Sequence, residues 1–103
     1  MRLLREDEKK LIECLLKEVH FKAIDLDKIG VTPYNDGGMG SLWFESIIPF
    51  ENRRMAKVLI NKEFHDEDGM PILVGLIADE QDELYELDIW KADFSSVIKY
   101  PSC

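Results

Sequence analysis

The sequence predicts an α+β domain in which an N-terminal helix packs on an antiparallel β-meander of four to five strands. Two observations predict it: apolar residues recur at helical spacing near the start of the chain, and strand-like segments separated by turn residues fill the second half. A length of 103 residues is enough for one hydrophobic core. We therefore expect residues 1–103 to form a single domain.

The helix is predicted over residues 5–20. Leu11, Leu15 and Val19 recur every four residues, and lysines and glutamates fill much of the opposite face. The acidic run Glu6–Glu8 lies near its start, where the helix dipole favours negative charge. This pattern is typical of a helix that lays one apolar face on a sheet.

The clearest β-hairpin is predicted within Met70–Phe94. Its first arm, Ile72–Ala78, is apolar on both faces, as expected of a strand at the centre of a sheet. Asp79–Glu83 supplies an acidic turn, and Leu84–Lys91 forms a second arm in which charged and apolar residues alternate. We expect this hairpin to organise the rest of the sheet.

The remaining strands are predicted from weaker signals. Met55–Phe64 alternates between apolar and polar residues and is followed by the turn Asp66–Gly69. Ile29–Thr32 and Leu42–Glu45 are expected to pair around the glycine-rich loop Asn35–Ser41, because Gly and Asn tolerate positive φ. The predicted core combines apolar residues of the helix and three strands: Leu11, Leu15, Val58, Ile60, Val74, Leu76, Leu87 and Ile89.

The charge balance argues against two classes of partner. The net charge of −8 repels nucleic-acid backbones and anionic membrane surfaces, so neither is an expected partner. A basic protein is the expected partner instead, because complementary charge steers its approach. The N-terminus lacks the apolar core of a signal peptide, and no apolar run approaches the ~20 residues that span a membrane, so a cytoplasmic location is expected.

The two cysteines, Cys14 and Cys103, show no metal-binding spacing. The sequence leaves a disulfide between them open, but the expected cytoplasmic location favours reduced thiols. No cluster of metal ligands is indicated by the spacing of His, Cys, Asp and Glu, and we expect no cofactor. The turn around Gly69 fits the spacing of a calcium-binding EF-hand loop at only Asp66 and Asp68, so an ordinary hairpin turn is expected there.

Candidate binding residues lie on the second arm of the predicted hairpin. Glu86, Asp88 and Trp90 are spaced two apart and should share one face of the strand. The opposite face is expected to carry Tyr85, Leu87 and Ile89. Paired carboxylates at about 6–7 Å could act in acid–base chemistry or hold a metal. The alternation is more typical of a solvated acidic face, on which an exposed Trp could anchor a partner.

The glycine-rich loop supplies the other binding candidates, Asn35, Asp36, Gly37 and Gly38. Its exposed backbone N–H groups could bind a ligand. No Gly-Lys-Ser/Thr follows, so it is not a phosphate-binding loop. The alternative is a flexible hairpin loop with no binding role.

Two segments, Asn35–Leu42 (NDGGMGSL) and Glu86–Phe94 (ELDIWKADF), resemble the motifs of a family of small uncharacterised bacterial proteins, a domain of unknown function. The resemblance covers the chain from the N-terminal helix to Ile98. It implies a bacterial cytosolic origin and a compact α+β domain. It carries no catalytic residues that can be transferred to this chain.

Three functional hypotheses remain open at this point. The leading one is a non-catalytic protein-interaction module whose acidic face binds a basic protein. The second is a small hydrolase-type enzyme that uses Glu86 or Asp88 together with His65, which requires these groups to converge within hydrogen-bond reach or through one water. The third is a homo-oligomer assembled through an exposed apolar strand edge.

Overall fold

The computed structural model describes residues 1–35 and 37–103, and for Ala56 the backbone alone. Within these residues the chain forms one α-helix and six strands, so the α+β class is confirmed but the predicted count of four to five strands is too low. The helix is shorter than predicted and ends at Leu16. The elements are β1 (Arg2–Leu3), α1 (Glu6–Leu16), β2 (Gly30–Pro33), β3 (Leu42–Phe44), a 3-10 turn (Phe50–Asn52), β4 (Met55–His65), β5 (Pro71–Asp79) and β6 (Leu84–Lys91). No helix in the part of the chain so described has the length and apolar character needed to cross a membrane.

The strands form one antiparallel sheet in the order β1-β2-β3-β6-β5-β4. The predicted hairpins β2–β3, β4–β5 and β5–β6 are all present. Because β3 pairs with β6, the sheet joins strands β1, β2 and β3 to the meander β4–β5–β6, and residues 45–54 form the long connection between them. The sheet centre is therefore the β3–β6 pair, and β5 lies between β6 and the edge strand β4 instead of at the centre.

The helix covers one face of the sheet and forms the core with it. Leu11, Ile12 and Leu15 of α1 are fully buried and belong to one apolar cluster with strand residues such as Leu76 and Leu87. At about 25 cal/mol per Å² of buried apolar surface, side chains of this size stabilise the fold by about 1.5–3 kcal/mol each. The other predicted core residues divide into three groups: Val74 and Ile89 are buried, Ile60 is half-buried against the cluster, and Val58 is exposed.

The prediction that Val58 lies in the core is wrong, because β4 contains a β-bulge. The register shifts between Val58 and Ile60: Val58 pairs with Ile77 on one face, whereas Ile60 pairs with Leu76 on the other. The extra residue, Leu59, changes the phase of the alternation. Val58 therefore faces away from the helix with 47% of its surface exposed.

The strand that the sequence does not reveal is β1. It has only two residues, too few for a periodic signal, and it pairs with β2 at Arg2↔Val31. The Arg2 guanidinium donates two hydrogen bonds, at 2.7 and 2.8 Å, to the buried Glu8 carboxylate. Glu8 also accepts the Arg5 backbone N–H at 2.8 Å. One buried glutamate thus joins the first strand to the start of the helix.

The C-terminal tail, residues 92–103, is held on the sheet by a buried aspartate. The Asp66 carboxylate accepts the backbone N–H groups of Ile98 and Lys99 at 2.7 and 2.9 Å. The Lys91 ammonium, also buried, lies 2.9 Å from Asp66 and 2.8 Å from Asp68. These charge-assisted bonds fix a segment that has no regular secondary structure of its own.

We expect this anchor to make the stability of the fold depend on acid pH. Burial alone would raise the pKa of Asp66, but the N–H groups of Ile98 and Lys99 and the Lys91 ammonium outweigh it and hold that pKa well below its usual 3.8. A carboxyl with a lowered pKa in the folded state stabilises the fold above the unfolded value and loses this contribution as pH falls. Asp66→Asn should therefore lower the urea midpoint at pH 7, and the difference from the wild type should shrink steadily below about pH 4.

The control for this measurement is Glu67→Gln, which removes the neighbouring exposed carboxylate. Its urea midpoint should stay close to that of the wild type at pH 7 and at pH 3. A difference between Asp66→Asn and the wild type that is as large at pH 3 as at pH 7 would contradict the assignment of the anchor to the ionised Asp66.

The structure joins Cys14 on α1 to Cys103 in the tail by a disulfide. The expectation of reduced thiols is therefore wrong for this structure. The two Cα atoms are 6.2 Å apart, within the ordinary range for a disulfide. The cysteines are separated by 89 residues and neighbour each other only because the tail folds back onto the helix, which the sequence alone does not reveal.

Candidate functional site

The side of the sheet turned away from α1, which we call the open face, carries the candidate carboxylates. Strand register assigns its positions, because residues paired directly across antiparallel strands share a face. Three rows cross β4, β5 and β6: Glu63–Leu73–Trp90, Asn61–Gly75–Asp88 and Val58–Ile77–Glu86. The last row continues to Trp43 on β3. The strands thus bring Glu86, Asp88 and Trp90 onto the face opposite α1.

The alternation predicted for β6 holds for most of the strand and fails at Tyr85. Leu87 and Ile89 are buried in the core, whereas Asp88 and Trp90 are exposed. A register shift between Ile77 and Ala78 leaves Tyr85 outside the regular pairing. Its ring lies 5.3 Å from that of Trp43, so it joins the open face instead of the core side.

Glu86 is half-buried and paired with a tyrosine. The Tyr34 hydroxyl donates a hydrogen bond to its carboxylate. Burial raises the pKa of Glu86, the Tyr34 hydroxyl opposes that rise, and the negative charge of Asp88 adds to it. Asp88, by contrast, is exposed. Of the two carboxylates, Asp88 is therefore the more exposed.

Beside Glu86 the open face carries an aromatic cluster, defined by Tyr34, Trp43, Phe50 and Tyr85. The Tyr34 and Trp43 rings stack with centroids 4.4 Å apart, and Trp43 meets Phe50 edge-on at 4.9 Å. The buried Arg53 guanidinium lies 5.0 Å from the centre of the Tyr85 ring. Sequence reasoning missed this cluster because its members come from four separate segments. The one available signal was a Trp in the short strand β3.

The glycine-rich loop contacts the C-terminal tail. The Ser96 hydroxyl donates to the Gly37 carbonyl at 2.7 Å, and the Val97 N–H donates to the Gly38 carbonyl at 3.2 Å. Gly38 has a φ of +86°, which favours glycine, and a Cβ there would lie 3.0 Å from the Ser96 hydroxyl oxygen. Asn35 is exposed, and Asp36 lies outside the described residues. The observed contacts give the loop a structural role, and its binding role remains a prediction.

His65 does not converge with either candidate carboxylate. It pairs with Pro71 at the far end of β5, whereas Asp88 pairs with Gly75 and Glu86 with Ile77. At ~3.3 Å per residue, His65 is offset from Asp88 by about 13 Å along the strands, and by more from Glu86. Its imidazole Nε2 lies 3.5 Å from Glu63 instead. The geometry therefore separates His65 from both carboxylates with which the hydrolase hypothesis combines it.

Comparison with known proteins identifies the family without indicating an activity. No curated protein matches the chain significantly, and neither does any solved structure. A family model described as a domain of unknown function matches residues 1–101, which is nearly the whole chain. The protein therefore belongs to the family described as Domain of unknown function (DUF6984).

Proposed function

We propose that this protein is a cytoplasmic bacterial interaction module, without catalytic activity, whose open face binds a basic protein partner. One observation carries the proposal: on β4, β5 and β6, the lysines lie on the helix side of the sheet and not on the open face. Among the described residues, the open-face positions of β4, β5 and β6 hold no lysine or arginine. They hold the carboxylates of Glu63, Glu86 and Asp88, and that of Asp79, which pairs with the buried Arg53. An acidic surface with an exposed Trp suits a basic partner.

The lysines of the same strands support the proposal, because they point to the helix side. They share face positions with Ala78, Val74 and Ile72 of β5, all of which are buried. Each lysine is also paired with an acid: Lys57 with Asp82 at 3.1 Å, Lys62 with Glu18 at 2.5 Å, and Lys91 with Asp66 at 2.9 Å. The lysines of these strands thus lie on the helix side, each beside an acid, while the carboxylates of Glu63, Glu86 and Asp88 lie on the open face.

The cytoplasmic location in this proposal has a consequence for the disulfide. Cellular thiols keep accessible cysteines reduced in that compartment. Cys103 is exposed and Cys14 is half-buried. The working form would then depend on the contacts of Asp66 and of the glycine-rich loop to hold the tail. None of the groups assigned to partner binding lies in the tail beyond Phe94.

The test is affinity capture with a charge-reversed open face. We expect Glu86→Lys combined with Asp88→Lys to retain a basic partner from a lysate of the native host at least about tenfold less well than the wild type, because ~1.4 kcal/mol of lost attraction is a tenfold change. The matched control is Glu13→Lys combined with Glu80→Lys, which changes the net charge equally at exposed positions outside the open face.

Capture by the control must match the wild type, and circular dichroism must show that both double variants are folded. Three results contradict the proposal: equal capture by both double variants, a captured protein that is acidic, or a captured protein that is a second copy of this chain. The third result would instead identify a homo-oligomer.

A further inference from the structure

The open face contains a notch at the point where β5 carries a glycine. Gly75 lies directly between Asn61 on β4 and Asp88 on β6. Because it has no side chain, this row contains a depression with a volume of about 330 Å³. Leu73 and Trp90, the neighbouring row, form one wall. The notch is therefore a recess with an apolar side and two polar ends.

The chemistry of the lining selects a planar cation. Asp88 provides a carboxylate, and the Asn61 side-chain oxygen lies only 2.9 Å from where a Cβ on Gly75 would stand. The exposed Trp90 ring offers a face on which a guanidinium can stack. The Phe94 ring packs against Trp90, with the two ring centres 5.6 Å apart.

The described residues that line the notch include one basic residue, and its ammonium group is bound elsewhere. Lys62 lines the notch, but its ammonium is paired with Glu18 at 2.5 Å on the helix side of the sheet. The strand neighbours Glu63 and Glu86 add negative charge on either side of the row. A cation entering the notch is therefore attracted by the face as a whole before it contacts Asp88.

We propose that the notch over Gly75 binds a single arginine side chain of the partner, with its guanidinium stacked on Trp90 and donating hydrogen bonds to Asp88 and Asn61. This inference rests on the proposed function and names the chemical group that the open face recognises. Arginine fits better than lysine because its planar fork can stack on the indole and still donate in its own plane.

The probe is the capped pentapeptide acetyl-SGRGS-amide, titrated into the ¹⁵N-labelled protein by NMR. We expect the Trp90 indole N–H signal to shift on binding, with a dissociation constant of about 1 mM. A peptide with lysine should bind more weakly, and one with citrulline, the neutral analogue of arginine, should bind at least about tenfold more weakly. Equal binding of arginine and citrulline overturns the proposal.

Gly75→Ala separates the notch from the charge of the open face. A Cβ at Gly75 would meet only the end of the Asn61 side chain closely, so the variant should fold, and it alters no charge. It should bind the arginine peptide at least about fivefold more weakly, while Ile47→Ala, at a fully exposed position that does not line the notch, should bind within about twofold of the wild type. An unchanged affinity in Gly75→Ala overturns the arginine site.

The two proposals fail in different ways. If Gly75→Ala binds both the arginine peptide and the basic partner as well as the wild type, while Glu86→Lys with Asp88→Lys loses the basic partner, the arginine site is wrong and the proposed function stands. If the double charge reversal retains the partner, the proposed function itself is wrong.

Discussion

Replacing Arg53 by alanine is expected to destabilise the fold by about 3–5 kcal/mol, because it leaves a buried carboxylate without its partner. The Arg53 side chain is 2% exposed and that of Asp79 is fully buried, with Nε 2.9 Å from the carboxylate. The same guanidinium donates to the carbonyls of Phe44 and Leu84, at 2.6 and 2.7 Å. One side chain thus joins the ends of β3, β5 and β6.

The groups that lose a hydrogen-bond donor when Arg53 is removed are buried and cannot bind water instead. Asp79 would keep only the backbone N–H groups of Gln81 and Glu83, at 2.9 and 3.0 Å, and two carbonyls would lose a donor. Burial alone would raise the pKa of Asp79, but those N–H groups and the Arg53 guanidinium lower it below its usual value. Asp79 is therefore ionised at neutral pH, and removing Arg53 leaves a buried charge uncompensated.

Urea denaturation at pH 7 measures this effect, with Arg54→Ala as the matched control. Arg54 is the next residue, is exposed, and donates only to the carbonyls of Glu51 and Arg53. Its loss should cost less than about 1 kcal/mol. If Arg53→Ala fails to fold, Arg53→Lys keeps the charge but not the three-way fork, and should still lose at least about 1 kcal/mol. A cost for both Arg53 variants that equals the Arg54 control would show that the pair is not structural.

Elements with a regular pattern could be predicted from the sequence. The helix around Leu11 and Leu15 and the hairpin of β5 and β6 follow from periodicity within one segment, and the structure has both. The position of Val58 could not be predicted, because a one-residue bulge in β4 inverts the faces of the strand and leaves no local signal. Strand β1 is held by pairing with distant residues and not by its own pattern.

Part of the open face could be predicted, because its residues on β6 follow the regular alternation of a strand. The spacing of Glu86, Asp88 and Trp90 places them together on any regular strand. The notch requires Gly75 to pair with Asn61 and Asp88, and that register depends on two turns and on the bulge at Tyr85 in β6. The buried charges of Arg53, Lys91 and their partners were missed because charged residues are normally expected on the surface.

Opening the disulfide is the second change with a large expected effect. In the double variant Cys14→Ser with Cys103→Ser, we expect the free energy of unfolding to fall by about 2–4 kcal/mol relative to the oxidised wild type. The bond spans 89 residues, so it restricts nearly the whole unfolded chain, and the loss of that restriction favours unfolding. The wild type in excess reductant should have the stability of the double variant.

The folded structure itself should change little, because the tail has other attachments. The Asp66 carboxylate holds the N–H groups of Ile98 and Lys99, and Pro101 is buried. Hydrogen exchange should therefore keep Ile98 and Lys99 protected in the reduced protein, while Asp66→Asn should expose them in the reduced protein more than in the oxidised one. Adding reductant to the serine double variant is the control and should alter neither stability nor exchange. If reduction of the wild type leaves the urea midpoint unchanged, the Cys14–Cys103 bond does not stabilise the fold. If reduction alone removes the exchange protection of Ile98 and Lys99, the disulfide and not Asp66 holds the tail in place.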